Sequence, residues 1–142
     1  IMNIMEVKFS AKSENESLAR VIVASFAAKL DPTIDELSDI KTAVSEAVTN
    51  AIIHGYEEDE TKFVHMRCEL IENTIKVVVE DYGKGIEDIE EAKQPMFTSK
   101  PELERSGMGF SFMESFMDDM QVASIVGEGT KVIMTKTIEV PK

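Results

Sequence analysis

The stretch Thr42-Ala-Val-Ser-Glu46-Ala-Val-Thr-Asn50-Ala-Ile-Ile-His54 decides the fold, because it combines an apolar helix with a single line of polar side chains. Residues four apart lie on one face of an α-helix, so the polar line consists of Thr42, Glu46, Asn50 and His54. The other side predicts a helix buried over much of its circumference, through Ile40, Val44, Ala47, Val48, Ala51 and Ile52. A polar line on such a helix faces either bulk water or a pocket.

Two side chains of this line have chemistry that suits a pocket. Glu46 is a candidate for polarising a hydroxyl or a water, and Asn50 offers the neutral oxygen that Mg²⁺ accepts beside phosphate oxygens. We interpret His54 as a hydrogen-bonding support. Ordinary amphipathicity is the alternative explanation of the whole line.

Capping boxes mark the start of two helices, at Ser13-Glu-Asn-Glu16 and at Thr33-Ile-Asp-Glu36. We predict that the first helix runs to Leu30 and the second to about Tyr56. The inner face of the first helix is predicted to consist of Leu18, Val21, Ile22, Ser25 and Phe26.

Alternating apolar residues predict strands, and a further helix follows a long irregular segment at 82–106. The strands are predicted at 4–10, 62–72, 74–81, 120–126 and 130–138, and the further helix at 107–118. This order predicts one domain over residues 1–142 with an α/β fold. We expect a two-layer sandwich, with helices on one face of a mixed, mostly antiparallel sheet.

Asp81 ends the third predicted strand in phase with the inward residues Val77 and Val79. A buried carboxylate needs a partner, and an adenine amino group is one; a structural Arg or a backbone amide is the alternative. Gly83 and Gly85 would let the backbone approach a flat base, although an ordinary tight turn explains them equally well. Thr130, at the start of the last strand, also places an inward hydroxyl where it would help to bind a base.

Gly107-Met108-Gly109 opens the last predicted helix, whose first N–H groups form an anion site. Lys100 and Arg105 stand just before it and are the right cations to meet phosphates. Glycines at helix starts and surface cations are also common without any such role. The segment 93–106 carries Pro95 and Pro101 and is predicted to be a lid.

The overall charge and the cysteine content limit the partners and the compartment. A net charge of -12 argues against nucleic acid as a direct partner and suits either a basic protein partner or plain solubility. Cys68 is the only cysteine, so no internal disulfide forms and a reducing cytoplasm fits. No apolar stretch reaches the roughly 18 residues of a membrane span, so no membrane association is expected.

Together, Glu46–Asn50, Asp81-x-Gly83-x-Gly85 and Gly107-x-Gly109 resemble the N, G1 and G2 boxes of the Bergerat-fold ATP-binding superfamily. Longer stretches, at 13–17, 44–56 and 100–110, resemble one family within it, the anti-sigma factor serine kinases, and its sporulation branch above all. The resemblance extends over essentially the whole chain.

The resemblance implies a role for each matching residue and a pair of cofactors, ATP and Mg²⁺. Glu46 matches the catalytic base, Asn50 the magnesium ligand and Asp81 the adenine-binding carboxylate. The other residues it places at the nucleotide are Gly83, Gly85, Thr98, Ser99, Lys100, Arg105, Gly107, Met108, Gly109 and Thr130. At Ser99 a second threonine is expected, and the serine keeps the hydroxyl.

The family also implies the function and the protein partners. Its members are homodimers that phosphorylate a serine of an anti-anti-sigma factor and hold a sigma factor inactive. Glu16 and Arg20, four apart on the first helix, are the expected partner-binding residues on an exposed stripe; a solvated face with an intrahelical ion pair is the alternative. A stress-response anti-sigma kinase and an ATP-binding module without kinase activity are competing functions, and the presence of Glu46 counts against the second.

Overall fold

A computed structural model describes residues 2–88 and 109–139 of the chain, except for the side chain of Phe112. A single 3-10 turn follows the first helix at Ala28–Leu30, and a π-helical turn follows the second at Ala51–Gly55. In chain order, the remaining elements are β1 (Met2–Ser10), α1 (Asn15–Ala27), α2 (Ile34–Asn50), β2 (Phe63–Ile71), β3 (Thr74–Asp81), α3 (Gly109–Phe116), β4 (Asp119–Ile125) and β5 (Gly129–Thr137).

The five strands form one sheet in the order β1-β2-β3-β5-β4, in which every neighbouring pair is antiparallel. The two-layer α/β sandwich is therefore confirmed, but the expected mixed sheet is wrong, because no described pair is parallel. Since β5 lies between β3 and β4, the last hairpin brings β5 against β3 and places Thr130 opposite Asp81.

The core lies between the sheet and the helices, and the predicted alternation is confirmed on both central strands. The inward residues of β2 and β3 are all buried: Val64, Met66, Cys68, Leu70, Ile75, Val77 and Val79. The predicted apolar side of α2 is also buried, and α2 packs between α1 and α3. In the second half of α2 no residue is fully exposed, and Glu46 and Asn50 are among its half-buried positions.

The two predicted capping boxes have different outcomes. Thr33 accepts a hydrogen bond from the Glu36 backbone N–H at 3.1 Å, and the Glu36 carboxylate accepts one from the Thr33 N–H at 2.9 Å. That box is confirmed. The box at Ser13 is wrong: Glu14 is the N-cap of α1, no side chain caps the helix, and the carboxylate of Glu16 contacts another helix instead.

The prediction for the inner face of α1 is confirmed for Phe26 and Ile22, which lie in or against the core, and is wrong for its other three residues. Its buried residues are Ala19, Val23, Phe26 and Ala27. Leu18 and Val21 are 46% and 63% exposed, and Ser25 is exposed as well. Apolar residues lie on nearly all sides of α1, so their spacing does not determine which side of the helix faces the core. Small alanines face α2, and the larger Leu18 and Val21 lie outside.

Candidate functional site

Asp81 is a buried carboxylate at the end of β3, on the inner face of the sheet. The Gly83 N–H donates a hydrogen bond to its Oδ1 at 2.9 Å. Burial raises the pKa of Asp81 to about 6, and hydrogen bonds from the backbone of Gly83 and Thr130 partly oppose this rise. The carboxylate is therefore only partly satisfied by the described residues, and it can accept a further hydrogen bond.

The end of the π-helical turn closes one side of this carboxylate at very short range. A Cβ at Gly55 would lie 2.6 Å from the Asp81 carboxyl carbon, and a Cβ at Gly83 would lie 1.9 Å from the Gly55 carbonyl oxygen. The Lys84 N–H donates to that same oxygen at 3.0 Å. Only glycine fits at both positions. Gly55 is thus a residue at this carboxylate that the sequence patterns do not single out, because its contact with Asp81 joins positions distant in sequence.

Tyr56 connects the same turn to two strands and is also new to the site. Its buried hydroxyl donates to the Phe63 carbonyl at 2.7 Å and accepts from the Tyr82 N–H at 2.8 Å. The residue directly after Asp81 is therefore fixed to the start of β2. No local pattern in the sequence predicts this role for Tyr56, because its partners Phe63 and Tyr82 lie further along the chain.

Thr130 is buried and lies directly opposite Asp81 in the β3–β5 register. Its hydroxyl is 2.8 Å from the hydroxyl of Ser124 on β4. Ser124 also accepts a hydrogen bond from the Ile86 N–H at 2.7 Å, just after Gly85, which has a positive φ of 79°. Asp81, Thr130 and Ser124 therefore form one row of polar side chains across three strands.

Glu46 and Asn50 lie one turn apart on α2 and are both half-buried, as the prediction requires. The amide Nδ2 of Asn50 is buried and has no hydrogen-bond partner among the described residues. His54 lies within the π-helical turn and is half-buried.

Asn50 suits a magnesium ion whose other ligands are mostly phosphate and water oxygens. Within residues 2–88 and 109–139, no group of three His, Cys, Asp or Glu side chains could hold a metal ion. Mg²⁺ in nucleotide sites needs only one or two protein ligands, because phosphate and water oxygens complete its shell. The carbonyl oxygen of Asn50 is the atom that would bind such an ion, whereas its unpartnered Nδ2 is a donor that suits a phosphate oxygen.

The predicted phosphate end of the site falls mostly outside the described residues. Thr98, Ser99, Lys100, Arg105, Gly107 and Met108, together with the predicted lid 93–106, all lie there. Gly109 is described and is the first residue of α3. Of the predicted site residues, the structure brings together Asp81, Gly83 and Thr130 at one end of the sheet, and it places Glu46 and Asn50 one turn apart on α2.

Glu16 points from α1 towards α2, where its carboxylate accepts a hydrogen bond from the Ser45 hydroxyl. It also forms an ion pair with Arg20, with 3.0 Å between Oε1 and Nε. Its side chain is 17% exposed, whereas that of Arg20 is 43% exposed. The prediction that Glu16 lies on an exposed stripe is therefore wrong, because Glu16 connects the two helices. Arg20, whose side chain is 43% exposed, does lie at the surface.

None of the helices in the described ranges is long and apolar enough to span a membrane.

Comparisons with known proteins agree with the motifs. The family model for the histidine kinase-like ATPase domain matches residues 9–136. An anti-sigma F factor of Clostridium perfringens is 63% identical over 134 residues, which cover 94% of this chain and 96% of that protein. An anti-sigma F factor of Anoxybacillus flavithermus is 59% identical over 134 residues, or 94% and 92% of the two chains.

A solved structure shares the fold at low identity. The RsbU and RsbW domains of a Mycobacterium tuberculosis protein give a TM-score of 0.71 at 18% identity. The match covers 98% of this chain and 33% of that longer one. Since the identity is so low, this similarity supports the arrangement of helices and strands alone.

Proposed function

The chain belongs to the anti-sigma F factors, within the histidine kinase-like ATPase domains, and we propose from this premise that it is an ATP-dependent protein serine kinase and a sigma-factor inhibitor. Its substrate is a serine of an anti-anti-sigma factor. The observation that carries the proposal is the buried Asp81 carboxylate, which lies against the end of the helix that bears Glu46 and Asn50.

At the adenine end, Asp81 accepts a hydrogen bond from the exocyclic amino group of the base. Its carboxylate already accepts the Gly83 N–H, and it is buried, so it gains more from a further donor than an exposed group would. Gly55 closes one side of the carboxylate and Gly83 packs against the Gly55 carbonyl, so the base approaches from another side.

At the phosphate end, Glu46 accepts the proton of the attacking serine hydroxyl and Asn50 supplies an oxygen to Mg²⁺. The two residues lie one turn apart on α2, so both side chains reach the same side of the pocket. When bound, Mg²⁺ neutralises charge on the phosphate oxygens. Lys100, Arg105 and Gly107 are proposed to contact the phosphates, together with the N–H groups at the start of α3, which begins at Gly109.

The outer face of α1 is the proposed surface for the protein partners. Leu18 and Val21 expose apolar side chains beside the cation of Arg20, which is a common composition for a binding surface. The name of the relatives supports a sigma F protein as the sigma factor. We further propose a homodimer, and a cytoplasmic location because sigma factors act there.

The decisive experiment combines the protein with labelled ATP, Mg²⁺ and a candidate anti-anti-sigma factor, followed by mapping of the modified residue. We expect one phosphoserine on the partner and none with Glu46→Gln. Glu36→Gln is the matched control, because it makes the same change on the same helix while a glutamine still completes the capping box. ATP binding without transfer would favour the ATP-binding module, and transfer to a stress-response partner alone would favour that branch of the family.

A further inference from the structure

We propose that Ser124 is a specificity-determining residue for the base, because it holds the Thr130 hydroxyl in the orientation that makes its oxygen an acceptor. This inference rests on the proposed function, since it concerns the same nucleotide pocket. It assigns a role to a side chain outside all three sequence motifs.

Ser124 occupies the centre of the hydrogen bonds at this end of the sheet. It lies opposite Thr130 in the β4–β5 register, as Thr130 lies opposite Asp81 in the β3–β5 register. Its Oγ is 3.0 Å from the Gly129 carbonyl oxygen, 2.8 Å from Thr130 Oγ1 and 2.7 Å from the Ile86 nitrogen.

The directions of these bonds follow from counting protons. A hydroxyl has one proton and two lone pairs, and a carbonyl oxygen can only accept. Ser124 must therefore give its proton to Gly129, and its lone pairs accept from the Ile86 N–H and from the Thr130 hydroxyl. The proton of Thr130 is thus committed to Ser124, and Thr130 can offer only lone pairs to anything else.

Asp81 and Thr130 consequently both present acceptors to a base. The Thr130 hydroxyl cannot donate to the base while it donates to Ser124. Adenine carries an amino donor at the position where guanine carries a carbonyl oxygen, so guanine would place an acceptor against acceptors. A Thr130 hydroxyl released from Ser124 is able to turn and donate to that carbonyl. Ser124 therefore increases the preference for ATP over GTP, because it prevents the Thr130 hydroxyl from donating to the guanine carbonyl.

The test compares the Kd of ATP and of GTP, both with Mg²⁺, for the wild-type chain and Ser124 variants by calorimetry. We expect Ser124→Ala to lower the ratio of the GTP Kd to the ATP Kd by roughly tenfold, the worth of one hydrogen bond. Ser124→Thr keeps the hydroxyl and should keep the ratio. Thr137→Ala is the matched control, because it removes another cross-strand hydroxyl contact of β5, 3.0 Å from Thr74 on β3, at the far end of the strand from Thr130.

A structural role alone would weaken both nucleotides equally, so an unchanged ratio in Ser124→Ala would overturn the proposal. The proposal would also be overturned if Ser124→Thr or Thr137→Ala lowered the ratio of the two Kd values as much as Ser124→Ala does. If Ser124→Ala does not fold, the near-isosteric Ser124→Cys takes its place with the same expected direction. A wild-type chain that bound neither nucleotide would overturn the proposed function as well, whereas tight ATP binding with an unchanged ratio would overturn only the role of Ser124.

Discussion

The nucleotide pocket and the outer face of α1 depart from the usual pattern of a folded protein in opposite ways. The pocket buries a carboxylate, Asp81, among backbone groups and apolar side chains. The outer face of α1 exposes Leu18 and Val21 to solvent. A buried charge is costly without partners, and exposed apolar groups gain stability when they are covered.

The comparison shows that each region lacks a different kind of contact. Among the residues that the structure describes, none adds a side-chain donor to the Asp81 carboxylate and none covers Leu18 and Val21; a base can supply the donor and a protein can supply the apolar cover. Contacts between Glu16 and Ser45 connect the two regions through α1 and α2. No residue belongs to both regions, so we expect them to respond separately to substitutions despite this contact, and the following experiments test that separation.

The largest expected effect is on phosphoryl transfer. Glu46→Gln should lower the rate about 10²–10⁴-fold, because it removes the proposed general base, while ATP affinity and partner capture stay close to wild type. Single-turnover transfer and nucleotide titration measure the two quantities separately. Transfer at the wild-type rate would remove Glu46 from its role.

Asp81→Ala should act one step earlier, on nucleotide binding itself. A hydrogen bond to a charged group is worth roughly 1.5–3 kcal/mol, so ATP affinity should fall about ten- to a hundredfold. Partner capture without nucleotide should be unchanged if the two regions are independent. Calorimetry that showed equal affinity of the wild-type chain for ATP and GTP would contradict the assignment of Asp81 to the adenine amino group.

The same carboxylate should reduce the stability of the nucleotide-free protein at neutral pH. The pKa of Asp81 is raised from 3.8 to about 6 in the folded state. Its stabilising contribution to the free energy of unfolding is therefore full below pH 3.8 and is lost as the pH rises through 6. At pH 7.5, Asp81→Asn should therefore raise the free energy of unfolding by about 2–3 kcal/mol, and the gain should shrink towards pH 4. Urea unfolding at the two pH values measures it; an equal gain at both would contradict the raised pKa.

Arg20→Glu should weaken capture of the partner proteins roughly tenfold and leave ATP affinity unchanged, because Arg20 lies on α1 and away from the pocket. Arg67→Glu is the matched control. Arg67 is an arginine of similar exposure, 40% against 43%, which also contacts carboxylates, those of Glu6 and Glu69, but on the sheet. Equal loss of capture in both variants would indicate a general charge effect instead of a surface on α1.

The sequence predicted those parts of the fold that a single period decides. The alternation of apolar residues in β2 and β3 correctly predicted which side of each strand faces the core. The apolar side of α2 was also clear, because polar residues recur every fourth position on a different side of the helix. The rotation of α1 was not predictable in this way, since apolar residues surround the helix. The choice between Leu18 and Ala19 as the inner residue depended on how closely α2 approaches.

The candidate site was predictable where a residue type already suggests its chemistry. Asp81 and Thr130 stood at inward positions of strands, and the structure places them in one row. Gly55, Tyr56 and Ser124 were missed, because each acts through a contact with a strand or turn distant in sequence. Local patterns contain no information about such contacts, although a serine in phase with inward Val122 was a weak signal.

The position of β5 between β3 and β4 also has a consequence for the order of folding. Asp81 and Thr130 are neighbours only after β5 has joined β3, and that pairing closes a loop that includes α3 and β4. Pairings of such sequence separation form slowly compared with the local packing of α1 on α2. A ligand that contacts both residues therefore binds only to chains that have completed the sheet, and it should slow their unfolding without accelerating the first steps of their folding.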